Sequence, residues 1–289
     1  MVSGSLPLQE YAEFAAGAAR RAGEIALGYF RNVREREGGD ALRAGEGGHA
    51  LRAGPPLRVE YKADMSPVTI ADREGEQLLR RLLEESYPEH GILGEEFGAT
   101  RAEAALRWYL DPIDGTQSFV RGVPLFGVML GLTARAADGS EEQEALVGVV
   151  HLPALGETVV AWRGGGCWWN GVRAQVSATA RLEDALLTTT DPLDLARSRK
   201  REAYERLRQR VKMERGWGDC YGHVLVATGR ADIMLDAALN EWDAAPLLPI
   251  VEEAGGRFTD WRGRRSISGG DGFATNGALY EVVREMLVV

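Results

Sequence analysis

Asp111-Pro112-Ile113-Asp114-Gly115-Thr116 sets two carboxylates three residues apart, with a backbone carbonyl between them, directly after the apolar run Trp108-Tyr109-Leu110. Carboxylate and carbonyl oxygens are the hard ligands that Mg²⁺ takes. A Gly-Thr pair follows, where a helix can begin, and the free N–H groups of a helix start suit a phosphate. The segment offers a metal site and, beside it, a seat for the anion that such a metal activates. The same residue types also suit a plain strand end and turn, so the hexapeptide alone leaves both readings open. Two further segments add carboxylates: Gly94-Glu95-Glu96-Phe97-Gly98, after the apolar pair Ile92-Leu93, and Glu241-Trp242-Asp243-Ala244-Ala245, which runs on to Gly255-Gly256. Glu95, Asp111, Asp114 and Asp243 each end an apolar run or begin a helical pattern, where a buried element can deliver them to one point. Without a cation such a cluster repels itself and raises its own pKa values. Phosphate-ester hydrolysis needs such a set, because metals neutralise the phosphate, acidify a bound water and support the departing oxygen.

The three segments, in this order, resemble the signatures of the inositol monophosphatase superfamily of Mg²⁺-dependent, lithium-sensitive phosphatases: G-E-E at Gly94-Glu95-Glu96, D-P-[IL]-D-G-T-x-x-[FY]-x-x-G from Asp111 to Gly122 with Phe119, and W-D-x-A followed by A-G-G from Trp242 to Gly256. The resemblance covers nearly the whole chain and implies a five-layer αβαβα sandwich of the inositol monophosphatase / fructose-1,6-bisphosphatase type. It implies two or three Mg²⁺ ions per site. One is held by Glu95, Asp111 and the carbonyl of Ile113. Another is held by Asp111, Asp114 and Asp243, with Asp111 bridging. Thr116, backed by Asp72, resembles the threonine that orients the attacking water. The N–H groups of Gly115 and Thr116, beside Asp114, would hold the phosphate. Glu96 is open between a supporting role and a solvated neighbour, and Lys62, Asp64 and Ser66 fall on a segment that in the family is a hairpin over the metals.

Elements that can position these residues are visible in the periodicity. Leu8 to about Phe30 carries Leu8, Tyr11, Ala15, Ala18, Ala22, Ile25 and Tyr29 at helical spacing. Leu78, Leu79, Leu82 and Leu83 form the buried stripe of a second helix after Asp72. Strand signals follow at 92–93, 108–110, 126–132, 146–151 and 158–162. Later, 186–190 reads as a strand, 195–211 as one basic, solvated helix, 219–228 as a short helix closed by Gly229, and 243–254 as a helix capped by Gly255-Gly256. This is an α+β arrangement followed by α/β. It predicts an N-terminal domain over 1–184 carrying most metal ligands and a C-terminal domain over 185–289 carrying Asp243 and the substrate side. Residues 34–57, rich in Gly, Arg and Glu, hold a short duplication (Ala41 to Gly45 and Ala50 to Gly54) and read as an insertion dispensable for folding.

The chain has 289 residues, 27% charged and 45% hydrophobic, with a net charge of −9. That acidity excludes a general nucleic-acid binder. No apolar run reaches the ~18 residues of a membrane span, and the start lacks a signal-peptide pattern. Cys167 and Cys220 are too few for a disulfide framework, so a reducing cytoplasm is the expected compartment. The family implies a homodimer. His49, His90, His151 and His223 show no metal-ligand spacing, which argues against zinc. His223, on the helix after Asp219, is open between facing the substrate and being a core or surface residue, and Trp168-Trp169 reads as packing between layers.

The leaving-group side chooses among phosphate esters. Here it reads Trp217-Gly218-Asp219-Cys220-Tyr221-Gly222-His223, which resembles the G-D-C-Y segment of the bacterial histidinol-phosphatase branch. Inositol phosphatases more often carry small, uncharged residues there. Histidinol phosphate bears an ammonium and an imidazole, which an anionic wall suits; Asp219 and Asp236 are the candidate substrate-binding residues. The competing reading is that Asp219 caps the helix it precedes. The expected activity is hydrolysis of L-histidinol phosphate in histidine biosynthesis. The alternatives are an inositol-1-monophosphatase or a broad sugar or nucleotide phosphatase. A non-catalytic regulatory protein on the same fold would be marked by missing ligands, and every expected ligand is present.

Overall fold

The structure, a computed structural model, describes residues 6–30, 59–61, 67–135 and 143–287. The 34–57 insertion, His49, Lys62, Asp64 and Ser66 lie outside the described residues.

The alanine-rich first segment forms the helix Leu8–Tyr29, burying Ala12, Ala15, Ala19 and Ala22. Such small side chains let a helix lie close on a sheet, and at Gly23 a Cβ would stand 2.7 Å from the ring of His151. The second helix, Ile70–Ser86, begins at a capping box. Thr69 Oγ1 accepts from the Ala71 N–H at 3.2 Å, and the Asp72 carboxylate accepts from the Thr69 N–H at 2.8 Å. Its Leu78, Leu79 and Leu83 join Trp108, Leu110, Leu130 and Val147 in one buried cluster with the first helix.

These two helices cover one face of an eight-stranded sheet. Its order is Val172–Arg173, Gly166–Trp169, Glu157–Trp162, Gln143–Leu152, Gly127–Arg135, Leu106–Asp114, Gly91–Gly94 and Gly98–Thr100. Only Gly91–Gly94 and Leu106–Asp114 pair in parallel. A second sheet runs Met213–Arg215, Leu186–Thr189, Ile233–Asp236, Gly272–Thr275, Arg257–Thr259. Helices Asp219–Ala227 and Glu241–Glu253 lie between the sheets, in a core with Tyr109, Met129, Val150, Met234 and Phe258. Arg201–Arg208 and Tyr280–Leu287 close the outer face, packing Tyr204, Leu207 and Val283 on Leu187, Ile233 and Phe273. The layers are thus αβαβα, as the resemblance implies.

Glycine permits the closest approach in this stack. A Cβ at Gly131 would stand 2.7 Å from the Pro246 nitrogen, and one at Gly148 would collide with the Pro246 carbonyl. The helix carrying Asp243 therefore rests flush on two central strands.

Two elements differ from expectation. The helix over 195–211 is two helices, Pro192–Arg197 and Arg201–Arg208. Ser198 breaks the run: its hydroxyl donates to the Leu195 carbonyl at 2.9 Å and accepts from the Lys200 N–H at 3.1 Å, local bonds that compete with the helical ladder. The helix expected from Asp243 begins at Glu241, with Asn240 as its cap. Asp243 is therefore the third helical residue, accepting from the Asn240 N–H at 3.0 Å.

Candidate active site

In a regular strand, residues three apart point to opposite faces, so Asp111 and Asp114 should diverge. They converge because the pairing with the neighbouring strand slips: Asp111 stands opposite Met129 and Asp114 opposite Gly127, three steps against two. The irregularity falls at Pro112-Ile113, where Pro has no N–H to lose from the ladder. The Ile113 N–H donates instead to Asp111 Oδ1 at 2.9 Å. Beyond it Gly115 takes φ +79°, and the short helix Thr116–Val120 starts. A side chain at Gly115 would be strained by that backbone and would sit 2.9 Å from the Leu125 carbonyl.

Asp243 reaches the same point from the helix between the sheets. One carboxylate oxygen each from Asp111, Asp114 and Asp243 falls within 4.8 Å of the others. Glu95, half-buried at the end of Gly91–Gly94, stands outside that tightest set, but its charge acts on both Asp111 and Asp243. Burial, then Glu95, Asp114 and Asp243, drives the Asp111 carboxyl well above the usual range. Burial, then its carboxylate neighbours, raises Asp114 and Asp243 to about 7. Burial also raises Asp72 to about 7 against the pull of its Thr69 bonds, with Glu96 and Glu95 adding to the rise. Carboxyls that raise one another in this way lack countercharge, and an all-oxygen set of this kind fits a hard divalent cation. Thr116 Oγ1 donates to the Ile113 carbonyl at 2.9 Å, while Asp72 takes its bonds from Thr69.

Asp219, at the start of a helix between the sheets, and Asp236, at the end of a strand of the second sheet, join this centre. A cavity of about 110 Å³ is lined by Asp114, Thr190, Asp219, Cys220, Asp236 and Asp243, with Leu239 and Leu247 among its apolar walls. Asp219 is the first residue of its helix and holds φ +52°, with no side-chain cap bond at that helix start. A Cβ on Gly115 would stand 3.1 Å from Asp219 Oδ2, so this carboxylate abuts the expected phosphate loop. Burial, Asp114 and Asp236 hold it well above the usual range. The next residue ties the two halves together: the Cys220 N–H donates to Asp114 Oδ2 at 2.6 Å. Asp236 is buried, with one oxygen bonded to the Thr190 hydroxyl and the other 2.7 Å from His223 Nε2. His223 is fully buried, as a core residue.

Sequence reading missed one supporting residue. Glu76, fully buried on Ile70–Ser86, accepts from the N–H groups of Glu96 at 2.7 Å and Phe97 at 3.2 Å and from Arg80 Nε at 2.7 Å. Its carboxylate occupies the space where a Cβ of Gly94 would lie, so the glycine of G-E-E makes room for the anchor of its own loop. A carboxylate within an apolar helical stripe was the available signal. Trp169 packs between layers, under the Arg230 guanidinium at 4.4 Å.

An αβαβα sandwich that gathers three aspartates beside a glycine-started turn defines a metal-assisted phosphatase scaffold. The model of the inositol monophosphatase family matches residues 7–287, and the chain belongs to that family. A histidinol-phosphatase of Chlorobaculum parvum is 43% identical over 224 residues, 77% of this chain and 84% of that protein. One from Mycobacterium tuberculosis is 39% identical, covering 78% and 86%. Among solved structures, an inositol monophosphatase from Zymomonas mobilis superposes with a TM-score of 0.77 at 30% identity, over 97% of this chain and 98% of that one. Such relatives make the chain a phosphatase of this family.

Proposed function

We propose that this protein hydrolyses L-histidinol phosphate to L-histidinol and phosphate with two or three Mg²⁺ ions, in histidine biosynthesis. The observation that carries the choice of substrate is the Asp219 carboxylate, set against Gly115 at a cavity that it shares with Asp236 and Asp114. An ester whose alcohol carries an ammonium and an imidazole places positive charge there, and the histidinol-phosphatase relatives support that reading.

Asp111, Asp114 and Asp243, with Glu95 and the Ile113 carbonyl, would hold the metal, which when bound neutralises phosphate charge and acidifies a water. Gly115 and Thr116 present backbone N–H groups to the phosphate. Thr116, whose hydroxyl proton goes to the Ile113 carbonyl, would accept from the attacking water through its hydroxyl oxygen, and Asp72, raised to about 7 by burial, would support that water's deprotonation. Asp219 and Asp236 orient the leaving group by its cation. The chain is read as two domains meeting near 184/185, with Asp243 crossing from the second into the site formed by the first. A cytoplasmic homodimer completes the proposal. Among the described residues no helix is long and apolar enough to cross a membrane.

Inositol-1-monophosphatase activity is the second reading, supported by the 33% identical inositol-1-monophosphatase of Rhizobium meliloti, matched over 80% of this chain. Phosphate release from L-histidinol phosphate, inositol 1-phosphate and a 3′-phosphoadenosine nucleotide, each with Mg²⁺ and with EDTA, decides between them. A higher kcat/KM for inositol 1-phosphate would overturn the histidinol assignment, and full turnover in EDTA would overturn the metal mechanism.

A further inference from the structure

Thr190 follows the strand Leu186–Thr189 and faces solvent at the cavity mouth. Its hydroxyl is used twice. Oγ1 accepts from the Asp219 N–H at 2.8 Å and donates to Asp236 Oδ1. The other Asp236 oxygen meets His223 Nε2 at 2.7 Å, and His223 lies one helical turn after Asp219 on the same helix. Asp219 backbone, Thr190, Asp236, His223 and the helix thus form a closed ring. Among the described residues His223 Nδ1 is buried without a hydrogen-bond partner, and the ring's one hydrogen bond there is from Nε2, with Asp236. Gly218 lets the loop close on the strand end: a Cβ there would stand 2.7 Å from the Thr190 nitrogen and 2.8 Å from the Thr189 carbonyl.

This ring has a task. Asp219 sits in the left-handed region, where backbone energy opposes most side chains and a compensating bond is needed. Its N–H has that bond in Thr190. Asp236 must keep a fixed rotamer if it is to meet a cation, and both its oxygens are pinned from the protein side. A single hydroxyl therefore holds the Asp219 backbone against the Asp236 carboxylate.

We propose that Thr190 is a positioning residue for substrate selectivity: its hydroxyl holds Asp219 and Asp236 in the one arrangement that receives a cationic leaving group. This rests on the histidinol-phosphate reading. Thr190 itself need not touch substrate. Removing its hydroxyl leaves both carboxylates present but frees Asp236 Oδ1 and the Asp219 N–H.

The test compares Thr190→Val, which keeps shape and removes both bonds, with Thr190→Ser, which keeps the hydroxyl. The readout is the ratio of kcat/KM for L-histidinol phosphate to that for inositol 1-phosphate, measured with saturating Mg²⁺. Any loss transmitted through the Cys220–Asp114 bond is common to both esters and cancels in the ratio. The ratio should fall about tenfold in Thr190→Val, the worth of one hydrogen bond to a charged group, chiefly through KM for the cationic ester. In Thr190→Ser it should stay within about threefold of wild type. An unchanged ratio in Thr190→Val, or an equal fall for Val and Ser, would overturn the assignment of Thr190 while the wild-type ratio still favours histidinol phosphate. A wild-type ratio that favours inositol 1-phosphate would instead remove the substrate reading itself, before any variant is made.

Discussion

Asp219→Asn is the most informative single change in this site. Asparagine has nearly the shape of aspartate and tolerates the left-handed backbone, so φ +52° is preserved while the charge is lost. On the proposed reading the contact removed is a hydrogen bond from the substrate's cation to a part-buried carboxylate, worth about 1.5–3 kcal/mol. At ~1.4 kcal/mol per tenfold, kcat/KM for L-histidinol phosphate should fall roughly 10- to 100-fold, mostly through KM. Inositol 1-phosphate carries no cation and should lose far less. Asp219→Ala is a poorer probe, because alanine at φ +52° adds about 1–2 kcal/mol of backbone strain. Its melting temperature should fall by several degrees below that of the Asn variant. Steady-state phosphate release on both esters, beside thermal melts of the two variants, separates charge from backbone. An equal loss on both esters in Asp219→Asn would refute the reasoning and leave Asp219 as scaffold.

Asp114→Asn should abolish most turnover, by at least about a hundredfold, with the far-UV circular dichroism unchanged, since the residue belongs to the proposed metal-ligand set and accepts from the Cys220 N–H; wild-type rates would exclude it from the metal site. Asp72, Asp114 and Asp243 titrate at about 7 in the folded chain and near 4 when unfolded. The folded state then binds more protons at these groups, so their contribution to metal-free stability is full below about pH 4 and is lost as pH rises through about 7. In EDTA the melting temperature should be higher at pH 5 than at pH 8. Mg²⁺ at a hundredfold excess over its dissociation constant should recover roughly 5–10 °C at pH 8; melting that ignores Mg²⁺ at pH 8 contradicts the account. Glu76→Gln should weaken the hold on Glu96 and Phe97, lowering stability by about 1–3 kcal/mol in urea unfolding and raising the Mg²⁺ requirement for activity; an unchanged Mg²⁺ titration would show that the Glu95 loop needs no such anchor.

The layers and the metal-ligand candidates were legible because they lie in short motifs at the ends of strongly patterned elements. What stayed hidden depends on partners distant in sequence. The convergence of Asp111 and Asp114 needs a pairing slip against Gly127–Met129, which no local pattern announces. Glu76 looks like the polar edge of a leucine stripe until backbone N–H groups twenty residues on are brought to it. Thr190 is the last of three threonines, and its two partners come from residues 219 and 236. His223 offered no metal spacing because its partner is a carboxylate from the next strand. The break at Ser198 was missed because periodicity continues across it, while a local hydroxyl bond decides where the helix ends.

The left-handed backbone at 219 also bears on how this pocket can change over generations. Most side chains are excluded there by conformation before any question of substrate arises, whereas glycine and asparagine fit. Both are reached from an aspartate codon by one base change, and both are uncharged. The cheapest inherited steps at this position therefore both remove the Asp219 charge and leave Asp236 alone on the anionic wall, without disturbing the fold. On the proposed histidinol-phosphate reading, such a step would carry a lineage from cationic toward neutral esters, while most other residue types would strain the backbone that Gly218 and Thr190 hold.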